Sequence, residues 1–133
     1  MSKEHDKENM FDSIWNFPDN LKDAIVIADR IDLKNDYSHI QNIVIAGMGG
    51  SAIGGDIVSV LESSNIRIPY VVCRDYSIPE WVNSHSLVIC SSYSGNTEET
   101  ISAFHKSVNR GANICGITTG GILSKLLKEH KRD

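Results

Sequence analysis

The chain has 133 residues, 41% of them hydrophobic, and a formal net charge of −4. That composition suits one globular domain, excludes a disordered chain and provides no basic footprint for nucleic acid. No apolar run approaches the roughly 20 residues that span a bilayer, and the opening MSKEHDKENM is charged and has no apolar signal core, so the expected location is the cytoplasm.

Residues 1–9 are polar and expected to be disordered. Met10, Phe11, Ile14 and Trp15 fall at helical spacing, which predicts a short helix before Pro18. Asp19 is a candidate cap for a second helix, whose apolar stripe is Leu21, Ala24, Ile25, Ala28 and Ile31. Such a stripe reads as core packing. Asp32 to Ser38 is a polar connection.

Ile43–Ala46 reads as a buried parallel strand, and the glycine-rich GMGGSAIGGD follows at once. Ile57 to Leu61 continues as a helix, so Gly54 and Gly55 fall inside it. Each costs about 1 kcal/mol there relative to Ala, which points to close packing or ligand approach. Ile68–Cys73 is the next strand, followed by Arg74-Asp75-Tyr76 and Ile78-Pro79.

Leu87–Thr100, LVICSSYSGNTEET, is the stretch richest in chemistry. A short apolar strand ends in Ser91, Ser92, Ser94 and Gly95, and a helical pattern opens after Thr97. A helix N-terminus offers unpaired N–H groups and partial positive charge, hydroxyls add donors, and a glycine lets backbone approach closely. This reads as a phosphate cradle. The bland alternative is a capped turn, with Asn96 as N-cap and Glu99 as its capping-box partner. Glu98 and Glu99 suit the helix dipole but repel an anion, so they are expected to point away from it.

Ile101, Phe104 and Val108 mark a helix ending near Gly111, Asn113–Ile117 is a fourth strand, and Thr118-Thr119-Gly120-Gly121 leads to a last helix. The alternation predicts an α/β fold with a parallel, doubly wound sheet; its strands lie near 43–47, 69–73, 87–91 and 113–117. Cys73, Cys90 and Cys115 each close an apolar run and read as buried, reduced thiols; only Cys73 has an adjacent cation, Arg74. The five histidines show no metal-ligand spacing and read as solvated or turn residues, so no metal is expected.

One rival reading takes Gly47-Met48-Gly49-Gly50-Ser51-Ala52 as a dinucleotide fingerprint of a Rossmann-type domain. Its acidic partner, Asp75, lies too far along and behind Arg74, and the serine loop stays unexplained.

GMGGSAIGGD and SSYSGNTEET together resemble the SIS (sugar isomerase) domain, and within it the N-terminal part of the bifunctional phosphoglucose/phosphomannose isomerases. Arg74-Asp75-Tyr76 with Pro79, and Phe17-Pro18, are similar to that family too. The resemblance covers about Met10 to Lys128 and implies an SIS domain over 10–133: a flavodoxin-like three-layer αβα sandwich, here lacking its last strand. It implies that Ser92, Ser94 and Thr97 hold a phosphate and that Gly49, Gly50 and Ser51 border a sugar. The implied reaction is interconversion of glucose or mannose 6-phosphate with fructose 6-phosphate through an enediol, with no metal or organic cofactor, in a homodimeric full-length protein. The partner expected is a small sugar phosphate, with no nucleic acid and no membrane.

The family's base, ring-opening histidine and late lysine are expected beyond Asp133, so no catalytic residue is assigned. The family's sugar-side arginine follows the fourth strand; Arg132 is the nearest candidate, but no family motif surrounds it. Glu98, Glu99 and His105 lie on the phosphate-side helix and make poor bases for C1 and C2. Arg74 reads as a packing or salt-bridge residue, or else as a ligand contact. The expectation is a phosphosugar-binding half-site without turnover of its own. The alternatives are a standalone phosphosugar-sensing module and a truncated chain whose Asn113–Ile117 edge invites pairing with other chains.

Overall fold

The computed structural model describes residues 6–133. They form two compact units, one ending at Leu33 and the other spanning Lys34–Asp133, so the boundary falls within the expected polar connection.

The first unit holds α1 (Met10–Trp15) and α2 (Phe17–Ala28). The Asp6 carboxylate accepts hydrogen bonds from the N–H groups of Met10 and Phe11, at 2.7 and 2.9 Å. That satisfies two of the donors a helix start leaves open. Of the stretch 1–9, residues 1–5 lie outside the described residues, and Asp6 to Asn9 form this capping turn. Asp19, the expected cap of α2, instead sits in its first turn beside Pro18, whose missing N–H costs nothing there, and Asn16 holds the cap position. No residue of either helix is buried, because two short helices by themselves cannot enclose an apolar stripe.

The second unit holds β1 (Asn42–Gly47), α3 (Gly50–Leu61), β2 (Tyr70–Cys73), β3 (Ser86–Ser91), α4 (Glu98–Asn109), β4 (Asn113–Ile117) and α5 (Gly121–Glu129). The four strands fall where the apolar runs predict them. They pair in parallel in the order β2-β1-β3-β4, with Ala46 opposite both Cys73 and Cys90. This is the doubly wound arrangement of flavodoxin-like sheets. Its switch point, the crevice where ligands bind, lies between β1 and β3, the two strands that carry the glycine and serine loops.

Alternation along the strands sorts the core. Val44, Ala46, Val88, Cys90 and Ile114 face Ala103 and Phe104 of α4 and Leu123 and Leu127 of α5. Ile78 and Val82, from the connection between β2 and β3, complete that layer. Ile45 points to the opposite face, where α3 lies so close that a Cβ on Gly55 would sit 3.0 Å from the Ile45 side chain. The three layers are therefore α4 and α5, the sheet, and α3.

The outer edge of β4, expected to be bare, is partly occupied. The Gly116 N–H donates to the Asp133 carbonyl at 2.8 Å. The Asp133 carboxylate in turn accepts from the Lys34 and Asn35 N–H groups, the Asn35 amide and the Tyr37 hydroxyl, at 2.7–3.0 Å. Burial alone raises the Asp133 pKa, but these donors outweigh it and hold the carboxyl well below the usual aspartate range.

Candidate functional site

At the end of β3 the chain turns into a self-bonded loop. Ser92 is buried, and its hydroxyl lies 2.8 Å from that of Thr97 and accepts from the Gly95 N–H at 3.1 Å. Gly95 has φ +68°, and a Cβ there would fall 1.8 Å from the Gly120 carbonyl oxygen, so only glycine fits. The Ser94 side chain is exposed; its hydroxyl accepts from the Asn96 N–H at 3.2 Å.

Thr97 is the N-cap residue of α4, in extended conformation, and no side chain caps that helix. The capping-box alternative fails here: neither Asn96 nor Glu99 serves α4. The Asn96 carboxamide oxygen instead accepts from the Ile122 N–H, in the first turn of α5, at 3.1 Å. Among the described residues no side chain accepts from the first-turn N–H groups of α4; Glu98 is exposed and Glu99 partly so, whereas Thr100 is buried. Glu98 is turned aside, its carboxylate accepting from the Tyr76 hydroxyl at 3.3 Å. The negative charge of Glu99, with that of Glu98, raises the Tyr76 pKa, so both carboxylates lie near the Tyr76 hydroxyl.

The β1–α3 loop stands beside it. Gly49, the N-cap residue of α3, has φ +50° and no side chain caps this helix either. The Ser51 hydroxyl accepts from the Tyr93 N–H at 3.2 Å, tying the two loops together. Gly47 lets the strand ends close up, since a Cβ there would meet the Ser91 carbonyl at 2.8 Å. The two helical glycines divide their tasks: Gly55 packs on Ile45, whereas Gly54 faces open space.

A third wall comes from the β4–α5 loop. The Thr119 hydroxyl and N–H both donate to the Tyr93 carbonyl, at 2.7 and 3.1 Å, and the Leu123 N–H donates to the Gly95 carbonyl at 2.9 Å. Between the walls lies an open cleft of about 670 Å³. Met48, Gly50, Ser51 and Gly54 form one side, with Tyr93, Thr118 and Thr119 across from them. Among the described residues no charged side chain lines it. The Thr118 and Thr119 hydroxyl protons are already donated to the Gly120 and Tyr93 carbonyls, so what this cleft offers an anion is the Ser51 hydroxyl and the start of α3 with its dipole.

Gly50 and Ser51, of the expected sugar-side residues, line the cleft, with Gly49 next to them in the same loop. Ser92, Ser94 and Thr97 are not among the residues that line it: Ser92 and Thr97 bond each other at the start of α4, and Ser94 flanks the cleft residue Tyr93 in sequence. Tyr93, Thr118 and Thr119 were not expected as site residues. The available signal was a third strand–glycine–helix junction, TTGG, at the same edge of the sheet.

Arg74 forms an ion pair with Asp56 and is absent from the cleft walls, as the salt-bridge reading has it. Asp75 accepts from the Tyr76 N–H at 2.6 Å and so serves its own turn rather than a ribose. Arg132 follows α5, at the end of that helix remote from the cleft loops, and its Nε is buried with no hydrogen-bond partner among the described residues.

The cysteines are free, but only Cys90 is fully buried; Cys73 and Cys115 are half-buried. Burial pushes the Cys90 thiol up to about 12 and the Cys115 thiol to about 11, and raises that of Cys73 as well, so Arg74 does not activate its neighbour. Of the histidines, His39 and His85 pair edge-on below β1 and β3, while His105 and His130 flank the ring of Phe104. His5 lies outside the described residues. Among those residues no group of three His, Cys, Asp or Glu side chains is placed to hold a metal ion. No helix among them is long and apolar enough to cross a membrane.

No family model matches the sequence. The chain is 44% identical over 120 residues to the bifunctional phosphoglucose/phosphomannose isomerase of Caldicellulosiruptor bescii, a match covering 90% of this chain and 35% of that protein. It is 52% identical over 106 residues to the protein of the same name from Thermoplasma acidophilum, covering 80% of this chain and 32% of that one. It thus spans about a third of the length of these relatives. Among solved structures, the C-terminal domain of glucosamine-fructose-6-phosphate aminotransferase from Francisella tularensis superposes with a TM-score of 0.75. That match covers 97% of this chain and 39% of the other at 21% identity, a likeness of fold.

Proposed function

The chain belongs to the SIS (sugar isomerase) domains of the phosphoglucose/phosphomannose isomerase family, and from that premise we propose that it is a phosphosugar-binding half-site. The phosphate sits on Ser94, Thr97 and the open N-terminus of α4, with Ser92 buried behind them and holding Thr97 in place. The sugar extends into the cleft past Gly49, Gly50 and Ser51. The observation that carries this reading is the uncapped α4 N-terminus with three hydroxyls folded around it, in a chain 44% and 52% identical to two such isomerases.

The parent activity in this reading is aldose–ketose isomerisation of glucose or mannose 6-phosphate to fructose 6-phosphate. That reaction moves a proton between C2 and C1 and needs a base within hydrogen-bond reach of it. Among the described residues the cleft walls hold no carboxylate, histidine or lysine. The chain by itself therefore binds the sugar phosphate and does not turn it over. Free thiols support its placement in the cytoplasm.

The test is a calorimetric titration of the 133-residue chain with fructose 6-phosphate, with NAD in parallel. Saturable binding of the sugar phosphate alone, weakened by Ser94→Ala, is the expected result. Binding of NAD alone overturns the phosphosugar reading, and robust turnover by this chain, abolished by Ser94→Ala, overturns the half-site reading.

A further inference from the structure

Three helices begin at the ligand edge of the sheet, and their N-termini are treated differently. Those of α3 and α4 have no side-chain cap. That of α5 is closed from outside its own sequence, by the carboxamide oxygen of Asn96 on the Ile122 N–H. The contact is close on every side. Gly121 has φ +70°, and a Cβ there would lie 2.3 Å from the Ser94 carbonyl oxygen and 2.8 Å from the Asn96 carboxamide oxygen. The Leu123 N–H on the Gly95 carbonyl and the Thr119 hydroxyl on the Tyr93 carbonyl extend the same seam.

We propose that Asn96 is a positioning residue, which clasps the start of α5 to the serine loop and so fixes Ser94 and Thr97 in their phosphate-holding places. This rests on the phosphosugar reading of the site. A loop that closes on a ligand loses affinity in proportion to the ordering it undergoes on binding. The serine loop is ordered beforehand because its backbone carbonyls at Tyr93 and Gly95, and its one carboxamide, are all engaged by the β4–α5 segment. Asn96 points its oxygen away from α4, so it leaves the α4 N–H groups free for the anion. It also closes a second helix N-terminus that would otherwise compete for that anion. A carboxamide does this without placing a negative charge next to the phosphate.

The test uses Asn96→Ala, Thr119→Val and the double variant in the 133-residue chain, with fructose 6-phosphate as the probe and amide hydrogen exchange of the free chain as a second readout. Asn96→Ala is expected to speed exchange at Ile122 and Leu123 and to weaken binding about three- to tenfold, the size of one hydrogen bond. Thr119→Val gives a similar loss. The double variant costs little more than the worse single, because both release one clasp. Asn96→Asp, which keeps an acceptor for the Ile122 N–H, restores slow exchange.

Unchanged binding by Asn96→Ala in a chain whose parent binds, or losses that multiply in the double variant, overturns the proposal. If the parent chain binds no fructose 6-phosphate, the phosphosugar reading fails. The clasp is then decided by exchange alone, and unchanged protection at Ile122 and Leu123 in Asn96→Ala overturns it.

Discussion

The hydroxyls of Ser92 and Thr97 lie 2.8 Å apart, one buried at the end of β3 and the other at the first cap position of α4. This bond joins strand to helix across the loop, so the two residues differ from Ser94, whose side chain is exposed. Ser92→Ala is expected to destabilise the chain by about 1 kcal/mol, the net value of a buried hydrogen bond. Ser94→Ala should change stability by less than about 0.5 kcal/mol. Both weaken fructose 6-phosphate binding. Urea unfolding beside calorimetric titration separates the two effects.

Gly95 can be tested with a single methyl. Gly95→Ala forces a non-glycine residue to φ +68° and drives its Cβ to 1.8 Å from the Gly120 carbonyl oxygen. The left-handed backbone alone costs about 1–2 kcal/mol. The clash parts the serine loop from the β4–α5 loop, so the total loss on urea unfolding should exceed that figure. A loss below about 1 kcal/mol would show that the two loops are not packed together.

Gly54 and Gly55 are neighbours in α3 with opposite surroundings. A Cβ on Gly54 meets nothing within 4 Å, so Gly54→Ala should gain about 1 kcal/mol from helix propensity. Gly55→Ala presses on Ile45 at 3.0 Å and should gain less or lose stability. Because Gly54 lines the cleft, its alanine variant is expected to unfold later on heating while binding fructose 6-phosphate more weakly.

Asp133 ties the residues before β1 to the outer edge of β4, and its pKa is depressed below the ordinary 3.8. A carboxyl with a lower pKa in the folded chain binds fewer protons there than when unfolded. Its contribution is therefore complete above about pH 4 and is lost as pH falls through the depressed folded value. Asp133→Asn should lower the thermal midpoint at neutral pH, with the gap between variant and parent closing progressively below pH 4. A gap that persists unchanged into strong acid would assign the effect to packing.

The thiols should differ in reactivity. Cys90 is buried with its pKa pushed up to about 12, and Cys115 is raised to about 11. Iodoacetamide at mildly alkaline pH should label half-buried Cys73 first and Cys90 only on unfolding, because the thiolate is the reactive form. Mass spectrometry of the native chain reads the order directly.

The sequence alone determined the strand–loop–helix alternation and the residue classes at the sheet edge. Apolar runs such as Ile43–Ala46 and Leu87–Cys90 are continuous because a strand covered on both faces has no wet side to alternate with. Gly47–Ser51 and Ser92–Thr97 were legible as loops because their residues make poor strand and good anion-facing backbone. What those loops do with one another was decided only by the tertiary structure. Parallel order put β1 between β2 and β3 and so brought Ser51 under the Tyr93 N–H. The role of Asn96 could not be read locally, since a side chain two residues before α4 is an ordinary candidate cap for that helix. It caps α5 instead because β4 lies beside β3 and delivers the start of α5 to the serine loop, a juxtaposition of residues distant in sequence that no local spacing encodes.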